Sequence, residues 1–141
     1  MGLIRIGKAP NASDSFSTPQ FILDMFPGAF DPCPFNPNWN PSHYDGLKDE
    51  WPEEGLIFIN PPYSDVTPWI DRAFNHKFEC NMKGKKVTIV MLLKHDSSTK
   101  WFSKLHEGGA HFLMFQGRLA FGDDSQKRTP CGFPSVLAVI A

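Results

Sequence analysis

The chain has little of what a metal site, a disulfide framework or a membrane segment requires. Its three cysteines are odd in number and include no Cys-x-x-Cys pair, which favours reduced thiols over a metal or disulfide framework. The longest apolar run, residues 87–93, is far too short to cross a bilayer, and no N-terminal stretch resembles a signal peptide. With 14 basic and 15 acidic side chains the net charge is -1, which disfavours tight non-specific binding to nucleic acid. We therefore expect a cytoplasmic protein without a metal or a membrane partner.

The remaining composition is that of a globular protein rich in aromatic residues and in proline. Its 141 residues argue for one domain with one core. The chain has 13 Phe and four Trp, and its 13 Pro and 11 Gly indicate much irregular structure. We expect residues 1–16 to be a flexible lead-in and residues 17–141 to form the domain.

Apolar runs bounded by turn residues predict strands, and 3.6-residue spacing predicts helices between them. Strands are expected at residues 29–31, 56–59, 87–93, 111–115, 119–121 and 135–140. Helices are expected to begin near Thr18, Thr67 and Ser98. This alternation predicts an α/β fold with a mostly parallel sheet flanked by helices, in three layers and of minimal size. Such sheets bind ligands at the carboxyl ends of their strands, where Asp31 and Asn60 would lie.

The first two helices carry specific expectations. Thr18 is placed to cap the first helix, and Pro19 suits its first position because the missing N–H costs nothing there. The apolar face of this helix is expected to comprise Phe21, Ile22, Met25 and Phe26. The second helix is expected to turn inward Trp69, Ile70, Ala73, Phe74 and Phe78.

The sharpest local signal is Asn60-Pro61-Pro62-Tyr63, directly after an apolar strand. A purine's exocyclic amine is a poor nucleophile, because its lone pair is delocalised into the ring. The Asn60 side-chain oxygen and the Pro61 carbonyl would accept its two N–H groups and localise that lone pair. The two prolines hold the carbonyl rigidly, and Tyr63 offers a face on which a flipped-out base stacks. The alternative is a polyproline-type loop, which the flanking strand and helix disfavour.

This tetrapeptide resembles motif IV of the amino-methyltransferases, and other segments follow in the family's order. Ser17-Thr18-Pro19-Gln20 resembles the Thr-Pro-led motif X, and Phe30-Asp31-Pro32-Cys33 resembles the start of motif I. Asp45-Gly46-Leu47 with Trp51 resembles motif III. A late segment, residues 116–121, and a closing strand from residue 133 complete the likeness. Together these segments, spanning roughly residues 17–140, resemble the small phage-type DNA N6-adenine methyltransferases.

The resemblance implies a Rossmann-like methyltransferase domain that uses S-adenosylmethionine and acts on adenine N6 in DNA. Phage origin would place it in the cytoplasm of a bacterial host. The target base would be flipped into a pocket beside Asn60 and Tyr63. Asp31 would bind the methionine part of the cofactor and Asp45 its adenine amino group. The cofactor contacts implied are Thr18, Pro19, Asp31, Pro32, Cys33 and Asp45.

Two departures from the family pattern leave alternatives open. Motif I has Pro34-Phe35-Asn36-Pro37 in place of a Gly-x-Gly loop, and no segment is long enough for a separate target-recognition domain. The target amine is alternatively DNA cytosine N4, an RNA base or a protein glutamine. From a different class, the chain is alternatively a non-catalytic protein that binds nucleotide or nucleic acid. The recognised DNA sequence, the strand preference and the oligomeric state are not encoded in these patterns.

Two basic clusters are candidate phosphate contacts. Lys83, Lys85 and Lys86 precede one predicted strand, while Lys127 and Arg128 lie in another polar stretch. Such clusters are commonly just solvated, and we expect DNA binding through them to be weak and salt-sensitive. The five histidines show no ligand spacing, which favours surface or packing roles.

Overall fold

The computed structural model describes residues 17–34, 45–121, 129–130 and 134–141, with backbone alone for 120–121 and 129–130. The lead-in expected at residues 1–16 lies outside these residues. The helices are α1 (Gln20–Met25), α2 (Thr67–Met82) and α3 (Lys100–Glu107). The strands are β1 (Gly55–Ile59), β2 (Val87–Lys94), β3 (His111–Met114), β4 (Ala120–Phe121), β5 (Thr129–Pro130) and β6 (Ser135–Ile140). The described residues form one small α/β unit.

Four strands form the main sheet, in the order β1-β2-β6-β3. The β1–β2 pair is parallel, with Ile57 opposite Ile89, but β6 runs antiparallel to both of its neighbours. The mostly parallel sheet predicted from the sequence is therefore wrong for the described strands, where two of three pairings are antiparallel. β4 and β5 form a separate two-stranded ribbon.

The direction of β6 follows from the chain path. β2 and β3 end at the same side of the sheet, because both strands run antiparallel to β6. Between β3 and β6 the described residues contain only the short ribbon and no helix that would carry the chain back across the sheet. A strand that starts from the edge where its predecessor ended runs in the opposite direction.

Apolar side chains cover both faces of the sheet because β1, β2 and β6 alternate between them. Ile57, Ile59, Met91 and Val136 join one cluster with Trp69 and Ile70 from α2 and Leu105 from α3. The cluster on the other face contains Ile22 of α1 together with Phe58, Val90, Leu92, Leu119 and Leu137. These clusters set α2 and α3 on one side of the sheet and α1 on the other.

The predicted element positions are largely confirmed, with local corrections. The strand expected at residues 29–31 is reduced to a single parallel bridge between Phe30 and Ile57. On α1 only Ile22 is fully buried, whereas Phe21 and Met25 are 52% and 48% exposed. Phe78 of α2 is 66% exposed, so its predicted inward position is also wrong. α1 is only six residues long, and on α2 the buried Cys80 follows Phe78 by two residues, so the exposed side chains lie on helix faces that the described residues leave uncovered.

Candidate active site

The carboxyl edge of β1 and β2 brings the predicted site segments together. Asn60 directly follows β1, and Asp31 directly follows the bridge that places Phe30 beside β1. The Phe58 N–H donates to the Phe30 carbonyl over 2.9 Å, which extends the parallel pairing by one short segment. β6 begins at the same edge, where Ser135 lies opposite Lys94. This edge of the sheet thus brings together strand ends that lie far apart in the sequence.

Within Asn60-Pro61-Pro62-Tyr63, both prolines are buried and the outer two side chains are linked. The Tyr63 hydroxyl lies 3.2 Å from Asn60 Oδ1 and 3.1 Å from the Leu92 carbonyl oxygen. It has one proton to donate to these two acceptors. The ring packs against the core cluster around Trp69, and the Pro62 carbonyl accepts from the Asp65 N–H in the turn that leads to α2. The tetrapeptide is therefore held by β2 as well as by its own turn.

Thr18 has a different role from the one its position in the sequence suggests. The N-cap of α1 is Pro19, without a side-chain capping bond, so the predicted Thr18 cap and the placement of Pro19 as first helical residue are both wrong. Thr18 Oγ1 instead accepts a hydrogen bond from Asn60 Nδ2 over 3.1 Å. The Pro19 carbonyl accepts from the Ile22 and Leu23 N–H groups, which starts the helix from the backbone alone.

Asp31 carries a half-buried carboxyl group that accepts a backbone hydrogen bond. Its Oδ1 accepts the Cys33 N–H over 2.8 Å, which lowers the pKa, but desolvation by burial is the larger effect and raises the pKa to about 6. Among the described residues it forms no ion pair. Cys33 itself packs against the core. A partly desolvated carboxyl of this kind is suited to binding a cation, because the cation would offset the desolvation of its ionised form.

Asp45 opens a tight turn that touches the Asp31 segment. Its Oδ1 accepts the Leu47 N–H over 2.9 Å, and its carbonyl accepts from Lys48 and Asp49. The next residue, Gly46, is packed so closely that a Cβ atom there would lie 1.9 Å from the Pro32 carbonyl oxygen. Asp45 is thus held beside Pro32, and the structure brings together two of the segments predicted to bind one ligand.

Arg72 of α2 fastens this turn, and the sequence reasoning missed it. Its guanidinium donates to the Gly46 and Asp49 carbonyls over 3.3 and 2.6 Å and lies 4.6 Å from the centre of the Trp51 ring. The Trp51 indole N–H also donates to the Gly46 carbonyl, over 2.8 Å. The available signal was an arginine at i+3 from the inward-facing Trp69 on the predicted helix, which is too common a pattern to single out.

Of the two basic clusters, the structure describes only the first, and that one lies away from the site. Lys83, Lys85 and Lys86 precede β2, at the edge of the sheet opposite Asn60. Lys83 is paired with Glu53, and Lys85 lies 3.9 Å from Glu54. Lys127 and Arg128 lie outside the described residues, immediately before β5 in the sequence.

Other kinds of site find little support in the described part of the chain. His76 Nε2 donates to the Pro52 carbonyl over 2.7 Å, and the ring packs edge-on against Trp51, which is the packing role expected for a histidine. No group of three or more His, Cys, Asp or Glu side chains there is arranged to hold a metal ion. Nor does any described helix combine the length and apolar character needed to cross a membrane.

A protein family model and a phage protein both match the chain. The family model of DNA N-6-adenine-methyltransferase (Dam) matches residues 11–141. The DNA N-6-adenine-methyltransferase of Haemophilus phage HP1 (strain HP1c1) is 39% identical over 56 residues, covering 40% of this chain and 29% of the phage protein. The matched stretch thus spans less than a third of that relative. Since the family model covers nearly the whole chain, the protein belongs to the DNA N-6-adenine-methyltransferase family.

Proposed function

We propose that the chain transfers a methyl group from S-adenosylmethionine to N6 of adenine in DNA, beside Asn60-Pro61-Pro62-Tyr63. The observation that carries the proposal is the Asn60 carboxamide, contacted at both ends by the Thr18 and Tyr63 hydroxyls at the same sheet edge as Asp31. Family membership supports the reaction. A Rossmann-like class is part of the proposal, supported by the common direction of β1, β2 and β3 and by the position of the site at their carboxyl ends.

The residues at this edge suit the cofactor in charge and in hydrogen bonding. When bound, S-adenosylmethionine supplies a methyl group already activated by a sulfonium. Asp31 would bind its ammonium group, which would offset the burial that raises the pKa of this carboxyl. Asp45 would accept from the adenine amino group, since a carboxylate accepts several hydrogen bonds besides the one from Leu47. Pro19, Pro32 and Cys33 would line the remaining contact surface.

The target amine would be bound by acceptors of the tetrapeptide. Asn60 Oδ1 and the Pro61 carbonyl would accept the two N–H bonds of N6, which draws the lone pair out of the ring. An amide oxygen can accept two hydrogen bonds, so the bond from Tyr63 is compatible with one from the base. The base must leave the duplex stack to reach these groups, and the Tyr63 ring would receive it by stacking.

Substitution of Asn60 by Ala tests this function directly. It removes an acceptor whose hydrogen bond strengthens as the nitrogen attacks, so turnover should fall on the order of a hundredfold or more. S-adenosylhomocysteine affinity by calorimetry should stay within about twofold, because the amide faces the target and not the cofactor. Asn75→Ala, at an exposed position of α2, is the matched control and should keep wild-type turnover.

The assay should use labelled S-adenosylmethionine with adenine-unmethylated DNA, RNA and protein in parallel, followed by nucleoside and amino-acid analysis. Label on N6-methyladenine in DNA supports the proposal. Label on cytosine N4, on an RNA base or on glutamine would identify that group as the substrate in place of adenine N6 in DNA. Cofactor binding without any labelled product, or no cofactor binding at all, would favour a non-catalytic binding protein.

A further inference from the structure

Thr18 lies at a point where the sequence predicts a helix cap and the structure shows something else. Its hydroxyl makes no capping bond to α1 and instead meets the carboxamide of Asn60, 42 residues away in the chain. Capping is the ordinary reason for a threonine before a helix. Its absence here means that the side chain is oriented by the candidate site and not by the helix it precedes.

The Asn60 carboxamide needs an external restraint to act as an acceptor at a fixed point. Rotation about its last side-chain torsion is broad, and a half-turn exchanges the oxygen acceptor for the nitrogen donor. Thr18 holds the nitrogen end at 3.1 Å, and Tyr63 contacts the oxygen end at 3.2 Å. Contacts at opposite ends of the amide set both its plane and its position, whereas one contact leaves it able to swing.

Tyr63 by itself is a weak restraint. Its hydroxyl has a single proton and stands between Asn60 Oδ1 and the Leu92 carbonyl oxygen at nearly equal distances of 3.2 and 3.1 Å. The single proton of the Tyr63 hydroxyl is therefore shared between Asn60 and the Leu92 carbonyl of β2. The contact from Thr18 holds the nitrogen end of the amide, which Tyr63 does not reach.

We propose that Thr18 is a positioning residue for the chemical step, holding the Asn60 carboxamide so that its oxygen faces the target nitrogen. The inference rests on the proposed function and deepens it. It gives Thr18 an effect on turnover, in contrast with the cofactor-binding role that its motif implies. Misplacement of a reacting group by about 1 Å is enough to slow a reaction by up to a hundredfold.

The test compares Thr18→Val, which keeps the shape and loses the hydroxyl, with Thr18→Ser, which keeps the hydroxyl. Thr88→Val, in β2 near the opposite edge of the sheet, is the matched control. Single-turnover methylation of adenine-unmethylated DNA at saturating S-adenosylmethionine should slow about tenfold or more in Thr18→Val. It should return to within about threefold of wild type in Thr18→Ser and stay unchanged in Thr88→Val. S-adenosylhomocysteine affinity should stay within about twofold throughout.

A tenfold loss of S-adenosylhomocysteine affinity in Thr18→Val with an unchanged single-turnover rate would overturn the inference and make Thr18 a cofactor contact. A second readout does not depend on activity. The side-chain amide signals of Asn60, assigned by their loss in Asn60→Ala, should shift in a ¹⁵N–¹H spectrum of Thr18→Val and not of Thr88→Val. Unmoved signals would also overturn the inference. If Thr18→Val shifts these signals as expected but the wild-type protein methylates no adenine, the proposed function alone is refuted.

Discussion

Asp31 carries a carboxyl group that burial makes harder to ionise, with a pKa raised to about 6 from an ordinary 3.8. Because the folded state binds this proton more tightly than the unfolded chain, its contribution to stability is full below pH 4. That contribution is lost as the pH rises through 6. The stability lost corresponds to about 1–3 kcal/mol at pH 8, at ~1.4 kcal/mol per pKa unit.

Asp31→Asn removes that ionisation, so the variant should melt higher than wild type at pH 8 and close to wild type at pH 4. The same change should lower S-adenosylhomocysteine affinity at least tenfold at pH 8, because the ammonium group loses its counter-charge. Thermal melts at the two pH values and calorimetry measure the two effects. A variant that gains stability and keeps its cofactor affinity would remove Asp31 from the proposed site.

Tyr63 combines a ring face with a hydroxyl, and two substitutions separate them. Tyr63→Phe keeps the face, so KM for DNA should stay near wild type. The lost hydrogen bonds to Leu92 and Asn60 should cost about 1 kcal/mol of stability and lower kcat several-fold. Tyr63→Ala should also raise KM for DNA, since stacking is worth roughly 1–3 kcal/mol. An equal rise in KM in both variants would contradict the stacking role.

At the scale of elements, α2 supports the turn at residues 45–49 through Arg72. Arg72→Met keeps the apolar stem and loses the bonds to the Gly46 and Asp49 carbonyls. We expect about a tenfold weaker affinity for S-adenosylhomocysteine, as Asp45 moves with its turn, and a lower melting temperature. Arg72→Lys should restore little, because an ammonium group lacks the planar fork that reaches two carbonyls.

Lys104→Met on α3 is the charge-matched control for this experiment, because Lys104 pairs with Asp71 on the exposed surface. Exposed pairs of this kind contribute little to stability. Calorimetry and thermal melts should therefore show wild-type behaviour for the control. If Arg72→Met melts lower but binds the cofactor normally, the turn has a structural role only.

For the whole molecule, the two edges of the sheet define where DNA is expected. Asn60 lies at one edge, where the chain also leaves β3 and enters β6, while Lys83 and Lys85 lie at the opposite edge beside Glu53 and Glu54. We expect Lys127→Glu with Arg128→Glu to weaken DNA binding at low salt. Lys83→Glu with Lys85→Glu should leave it nearly unchanged, although sequence alone treats the clusters alike.

Titration of fluorescent duplex DNA at several salt concentrations measures both double variants. Loss of a phosphate contact should also reduce the dependence of affinity on salt. A strong effect at Lys83 and Lys85 would mean that DNA reaches both edges of the sheet. No effect in either pair would place the phosphate contacts on other residues.

Much of the candidate site followed from local pattern. β1, β2 and α2 lie close to their predicted positions because their apolar spacing is long and regular, and Asn60 follows β1 as expected. Phe78 was predicted to face inward and does not, and Phe21 and Met25 of the predicted apolar face of α1 are exposed, for the complementary reason. Helical spacing identifies which side chains share a face, but it does not show whether another layer covers that face.

The sequence by itself determined the α/β class, the tetrapeptide after a buried strand and the order of the family's motifs, because each of these depends on neighbouring residues. Only the tertiary structure decided the antiparallel insertion of β6 between β2 and β3, the contact of Thr18 with Asn60 and the bonds from Arg72 to the turn at residues 45–49. Those pairings join segments tens of residues apart. Their geometry depends on how the helices and strands pack, and no local periodicity encodes it.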